Sequence, residues 1–133
     1  MQNIQNTTTY PISPGHEIVG TITKIGSEVP PSIPLVHRYG LGWIKAGSCC
    51  AARTNTCPSQ VRTIYGSRGG FTAYLIADYR LLVPIPDSLP SSFAAPLMCA
   101  GLTLYSALRY WIPRSGGQHV AIIGIGGLGH LGV

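Results

Sequence analysis

The chain has 133 residues, enough for one modest domain with its own core. Apolar residues make up 45% and charged residues 10%, which excludes an intrinsically disordered chain. The net charge of +5 comes from nine basic residues scattered between Lys24 and Arg114 without a run, so no clustered nucleic-acid footprint is present.

The first residues, Met1 to Tyr10, are polar and lack the basic and apolar regions of a secretory leader. The longest uncharged apolar stretch, Val120 to Val133, is shorter than the roughly 20 residues of a spanning helix. The expectation is a soluble, cytoplasmic chain with no membrane and no nucleic-acid partner. Four cysteines, Cys49, Cys50, Cys57 and Cys99, do not form a secreted disulfide framework. The 17 glycines and 11 prolines favour short strands and turns.

Ile18 to Ile25 is rich in β-branched residues and ends at Gly26-Ser27, which predicts a strand. Val29 to Pro34 holds three prolines and reads as loop. Tyr39 to Ile44 is a second strand candidate, and residues 45–69 read as loop. Phe71, Ala73, Leu75 and Ala77 alternate with Thr72, Tyr74 and Ile76, a strand pattern. Leu81 to Ile85 is a further extended run. The pattern then changes: Leu97, Gly101, Leu104, Leu108 and Trp111 recur on one face of a helix, which Pro113 and Gly116-Gly117 stop. Val120 to Ile123 is wholly apolar and predicts a buried parallel strand.

Four groups of residues carry candidate chemistry. Gly124-Ile125-Gly126-Gly127-Leu128-Gly129 contains G-x-G-x-x-G directly after the apolar strand. Such glycines allow a tight turn, close approach of backbone to a pyrophosphate and close helix packing, with a helix expected from about Gly127. The acidic residue about 20 positions further on, which would grip a ribose, is not in this sequence. Gly15-His16-Glu17, at the start of a strand, offers a metal-ligating nitrogen beside a carboxylate. By itself this pair reads more often as a solvated strand edge. Cys99, among apolar residues, is core or a second metal ligand. Cys49, Cys50 and Cys57 lack the C-x-x-C pairing of a closed zinc site and read as free thiols.

These segments occur together and in order in one family. Pro14 to Gly20, Gly69 to Tyr74, Ala95 to Tyr105 and Val120 to Leu131 make the chain resemble the zinc-dependent medium-chain alcohol dehydrogenases, especially their cinnamyl-alcohol-dehydrogenase-like branch. The resemblance implies a mainly β fold with an α/β C-terminal part. Residues 1–87 would form a partial GroES-like domain, and 88–133 the start of an incomplete Rossmann domain. It implies that His16 and Cys99 are ligands of a catalytic zinc, with Glu17 the carboxylate at that metal. Gly124, Gly126, Gly127, Leu128 and Gly129 would contact the pyrophosphate of NAD or NADP. The implied activity is hydride transfer between a small-molecule alcohol or aldehyde and NAD(P), with zinc polarising the oxygen.

The resemblance also implies a third ligand, a cysteine ahead of Gly15, and residues 1–14 contain no cysteine. The family's G-D-R-V-G turn reads Val36-His37-Arg38-Tyr39-Gly40 here, with His37 in place of the aspartate. Against the family pattern the chain reads as cut at both ends, with oligomerisation expected only in the full-length setting. The competing expectation is a non-catalytic remnant or fragment, at most an interaction module. A zinc-free relative of the quinone-reductase type is disfavoured by His16 and Cys99.

Overall fold

The computed structural model describes residues 8–47, 54–64, 68–113 and 115–133. Three strands form an antiparallel sheet in the order β1 (Ile18–Thr21), β2 (Arg38–Leu41) and β5 (Val83–Pro84). The register pairs Ile18 with Leu41, Thr21 with Arg38 and Tyr39 with Pro84. A second, two-stranded sheet pairs β3 (Ile44–Ala46) with β4 (Val61–Arg62) through an irregular register. The expected strand over 39–44 is therefore divided at Gly42-Trp43 into β2 and β3, and part of the expected 45–69 loop is paired.

Strand β1 stops at Thr21, four residues short of the expected Ile25. The Val36 N–H donates to the Ile22 carbonyl at 3.1 Å and closes the long connection back to β2. Val36 has φ 69°, a left-handed conformation that a β-branched residue adopts only under strain.

The chain then runs into a helix from Ser91 to Trp111: α1 (Ser91–Pro96), a wide π-type turn over Leu97–Gly101, and α2 (Leu102–Trp111). The helix starts before Leu97, where the spacing placed it, and carries Pro96 inside it. Proline has no N–H to give and its ring crowds the preceding turn, and the backbone widens directly after it. By length and composition, 21 residues at mean hydropathy 1.3, this helix could cross a membrane. Its first part packs against β1, Met98 lies against Gly40 of β2, and Ala94 and Ala100 are buried, while Phe93, Leu102, Tyr105, Tyr110 and Trp111 are exposed. Of the expected helix face, Gly101, Leu104 and Leu108 are half-buried, but its two ends are not covered: Leu97 is exposed and Trp111 is 79% exposed.

The core is small. Tyr39, Leu41, Ile85, Ala94 and Ala100 are buried between the three-stranded sheet and the helix, and Thr63 and Cys57 are buried beneath β3 and β4. Arg38 fastens the sheet to the start of the helix. Its guanidinium donates to the carbonyls of Pro86, Asp87 and Leu89 at 2.9–3.1 Å, and to Ser91 Oγ at 3.0 Å.

Two expected strands are corrected. Residues 71–77 form no strand, and Phe71, Tyr74 and Ile76 are 76–91% exposed. Val120–Ile123 likewise forms no strand, with Ile123 99% exposed. Alternation or apolar character makes a strand only when a neighbouring strand takes up its hydrogen bonds. Among the described residues neither segment has such a neighbour. The expectation of free thiols is also corrected at Cys57, which is buried and disulfide-bonded. Cys49 and Cys50 lie outside the described residues.

Candidate metal centre

Backbone packing rather than any single strand brings the candidate ligands together. Gly15, with φ 97°, turns the chain into β1 and sets His16 and Glu17 at its edge. The Gly70 N–H donates to the Gly15 carbonyl at 2.8 Å, and the Phe71 N–H to that of Pro14 at 2.9 Å. At Gly69 a Cβ would run into the Pro14 backbone, and at Gly70 into the Ile18 side chain. The Gly69-Gly70-Phe71 segment is thus a backbone buttress behind the Gly15-His16-Glu17 turn, not a strand of its own.

Cys99 arrives from the other side, in the wide turn of the helix. Its neighbour Met98 lies on β2 so closely that a Cβ on Gly40 would collide with Met98 Sδ. One on Gly42 would collide with the Met98 carbonyl oxygen. Two side-chain-free positions in Tyr39-Gly40-Leu41-Gly42 therefore let the helix approach the sheet at the point where Cys99 emerges.

The result joins residues 83 positions apart: His16 Nε2 lies 3.2 Å from Cys99 Sγ. The ligand atoms of His16, Glu17 and Cys99 all fall within 4.8 Å of one another, with His16 and Cys99 half-buried and Glu17 exposed. The Ala100 N–H donates to Glu17 Oε1 at 3.4 Å. Burial, and next the Glu17 charge, push the Cys99 thiol above its ordinary pKa, while a hydrogen bond with Thr103 opposes them. The His16 ring meets the Trp43 ring edge-on, with centroids 4.8 Å apart and planes at 87°.

This donor set fits zinc. Nitrogen, thiolate sulfur and carboxylate oxygen are its usual ligands, and ordinary bond lengths at a tetrahedral angle separate N and S by about 3.6 Å. The observed 3.2 Å needs a few tenths of an ångström of opening. Among the described residues this is the one group of three or more His, Cys, Asp or Glu side chains able to share an ion.

The glycine turn stands differently. Gly124 has φ 89°, and a Cβ on Gly129 would strike the Gly124 carbonyl oxygen, so both are demanded by the tightness of the turn. Gly126 and Gly127 have nothing within 4 Å of an added Cβ, and Leu128 is 51% exposed. The expected helix is represented by a single 3₁₀ turn, Gly129–Gly132, opened by the His130 N–H to the Gly126 carbonyl at 3.2 Å. That turn leans on the helix, with Gly132 beside Leu104 and Ile122.

Sequence reading singled out His16, Glu17 and Cys99, which the fold brings together, and did not single out Trp43, Met98 or Thr63 beside them. The signal for Met98 was Gly40-x-Gly42 in a strand, where glycine marks close backbone approach. No pattern in the sequence singled out Thr63.

Residues 1–87 match the family model for the alcohol dehydrogenase GroES-like domain. A probable mannitol dehydrogenase of Fragaria ananassa is 44% identical over 139 residues, covering 94% of this chain and 38% of that protein. The solved structure of a cinnamyl alcohol dehydrogenase from Sorghum bicolor superposes with a TM-score of 0.87 at 33% identity, covering 98% of this chain and 40% of the other. A CAD from Helicobacter pylori, solved in complex with NADP(H), gives a TM-score of 0.68 at 25% identity, over 77% of this chain and 33% of its own. The chain spans about two-fifths of the length of the curated relatives it matches.

Proposed function

The chain belongs to the zinc-dependent medium-chain alcohol dehydrogenases, on their cinnamyl-alcohol-dehydrogenase-like branch, and on that premise we propose that it carries part of the apparatus for hydride transfer between an alcohol or aldehyde and NAD or NADP. The observation that carries this reading is the 3.2 Å approach of His16 Nε2 to Cys99 Sγ with the Glu17 carboxylate beside them. The domain boundary in this reading falls near Asp87, and the compartment is the cytoplasm.

His16 and Cys99 are the residues that would hold zinc, with Glu17 at its side. Bound there, zinc supplies Lewis acidity toward a substrate oxygen. The protein's own part is positional and electrostatic. The Cys99 thiol must lose its proton to become a ligand, and burial together with Glu17 resists that loss until a cation arrives. Ala100 anchors Glu17 from the helix, so the carboxylate stays with the pair. In the C-terminal turn, the open faces of Gly126 and Gly127 leave room for a pyrophosphate to approach the backbone.

The test is the zinc content of the purified protein together with aldehyde-dependent oxidation of NADPH or NADH. The reading expects one zinc per chain with turnover, both lost in Cys99→Ser. A second reading, a non-catalytic interaction module, is favoured by the Val120–Ile123 segment, which pairs with no strand among the described residues and leaves Val120 and Ile123 exposed. Zinc bound without any cofactor binding or turnover would select it.

A further inference from the structure

The peptide Gly40–Trp43 touches both arms of the candidate centre. On one side Gly40 and Gly42 lie against Met98, the residue before Cys99. On the other, the half-buried Trp43 ring stands edge-on against the His16 imidazole at 4.8 Å. An imidazole at a strand edge can turn about its side-chain bonds, and only one ring orientation points Nε2 at Cys99 Sγ. A rigid aromatic ring packed at right angles to the imidazole restricts that freedom.

Trp43 is itself held. Thr63, fully buried, donates from Oγ1 to the Gly42 carbonyl, and its backbone N–H donates to the Trp43 carbonyl at 2.8 Å. One residue beside β4 thus fixes the two consecutive peptides that carry the ring. A buried hydroxyl in this position is explained by the clamp, because an unpaired one would be destabilising.

We propose that Trp43, clamped through its backbone by Thr63, is the positioning residue for His16, holding the imidazole so that Nε2 faces Cys99 and the centre is organised for a metal. This rests on the metal-centre reading above. Residues that orient a ligand without touching the metal typically change affinity 10–100-fold when removed.

The test uses cobalt(II) as probe, with chelator competition for affinity, melting of the metal-free protein, and proton NMR of the His16 ring. Trp43→Ala should weaken cobalt binding at least about tenfold, and Trp43→Phe, which keeps a ring edge, should recover most of it. In the metal-free protein, the ring-current shift on the His16 protons should vanish in Trp43→Ala and persist in Trp43→Phe. Cobalt should also quench Trp43 emission when the other tryptophan is removed as Trp111→Phe. Wild-type affinity in a folded Trp43→Ala, or a weakening that Trp43→Phe shares in full, would overturn the positioning role. An unshifted His16 ring in the wild type would overturn it without reference to metal. If the wild type binds no cobalt yet shows the ring-current shift, the metal-centre reading fails and the positioning of His16 for a metal falls with it, while the packing of the two rings stands.

Discussion

Around the His16–Cys99 pair the glycines are crowded, and in the C-terminal turn two of them stand in the open. A Cβ at Gly40 or Gly42 would collide with Met98, whereas at Gly126 and Gly127 it would meet nothing within 4 Å. The first pair is required by contacts that this chain makes with itself. The second pair is not, although Gly124 and Gly129 beside it are required by the turn's own geometry. The difference also separates a region whose neighbours are inside the described chain from one whose Val120–Ile123 segment has no strand beside it.

Removing a ligand should give the largest effect. His16→Ala or Cys99→Ser should weaken zinc binding by at least about a hundredfold, beyond the 10–100-fold typical of supporting residues, as read by chelator competition. Gly126→Ala should leave zinc affinity unchanged. Affinity in the wild type should rise with pH. Burial and Glu17 hold the Cys99 thiol above its ordinary value, so its proton, displaced on binding, becomes easier to lose as pH increases.

Next comes the packing contrast itself. Gly42→Ala, facing backbone rather than a flexible side chain, should destabilise the protein by up to about 3 kcal/mol. Gly40→Ala should destabilise it less, because Met98 can shift. Gly127→Ala should stay within about 0.5 kcal/mol. Denaturant unfolding distinguishes these, and equal losses at all three positions would erase the comparison.

Arg38→Ala should follow at about 2 kcal/mol, since its guanidinium serves three carbonyls and a hydroxyl at the sheet–helix junction. Because that junction sets the helix that bears Cys99, zinc affinity should fall with it. The smallest effect has the opposite sign. Val36→Gly should stabilise the protein by about 1 kcal/mol, by relieving the strain of φ 69° in a β-branched residue. The melting temperature should rise while zinc affinity stays put.

Much of this was legible in the sequence, for identifiable reasons. His16 and Cys99 carry distinctive chemistry, and their neighbouring segments resemble one family in order. The middle of the helix face, Gly101, Leu104 and Leu108, followed from spacing, while Leu97 and Trp111, read onto the same face, are exposed. What the sequence could not show was long-range backbone contact: Gly40 and Gly42 against Met98, Thr63 behind Trp43, or Gly69-Gly70 as a buttress. The segments at 71–77 and 120–123 were read as strands because their composition is strand-like, but pairing is a property of neighbours, not of composition. Pro96 hid the first turns of the helix, since proline marks a helix boundary more often than an interior position.

The central claim is that this chain's own fold assembles a metal centre from His16, Glu17 and Cys99. Cobalt(II) titration tests it most directly, because a thiolate ligand to cobalt gives a charge-transfer absorption that other donors do not. The account predicts that band in the wild type, saturating at one cobalt per chain and absent in Cys99→Ser. A band of the same strength in Cys99→Ser, or none in the folded wild type, would contradict it.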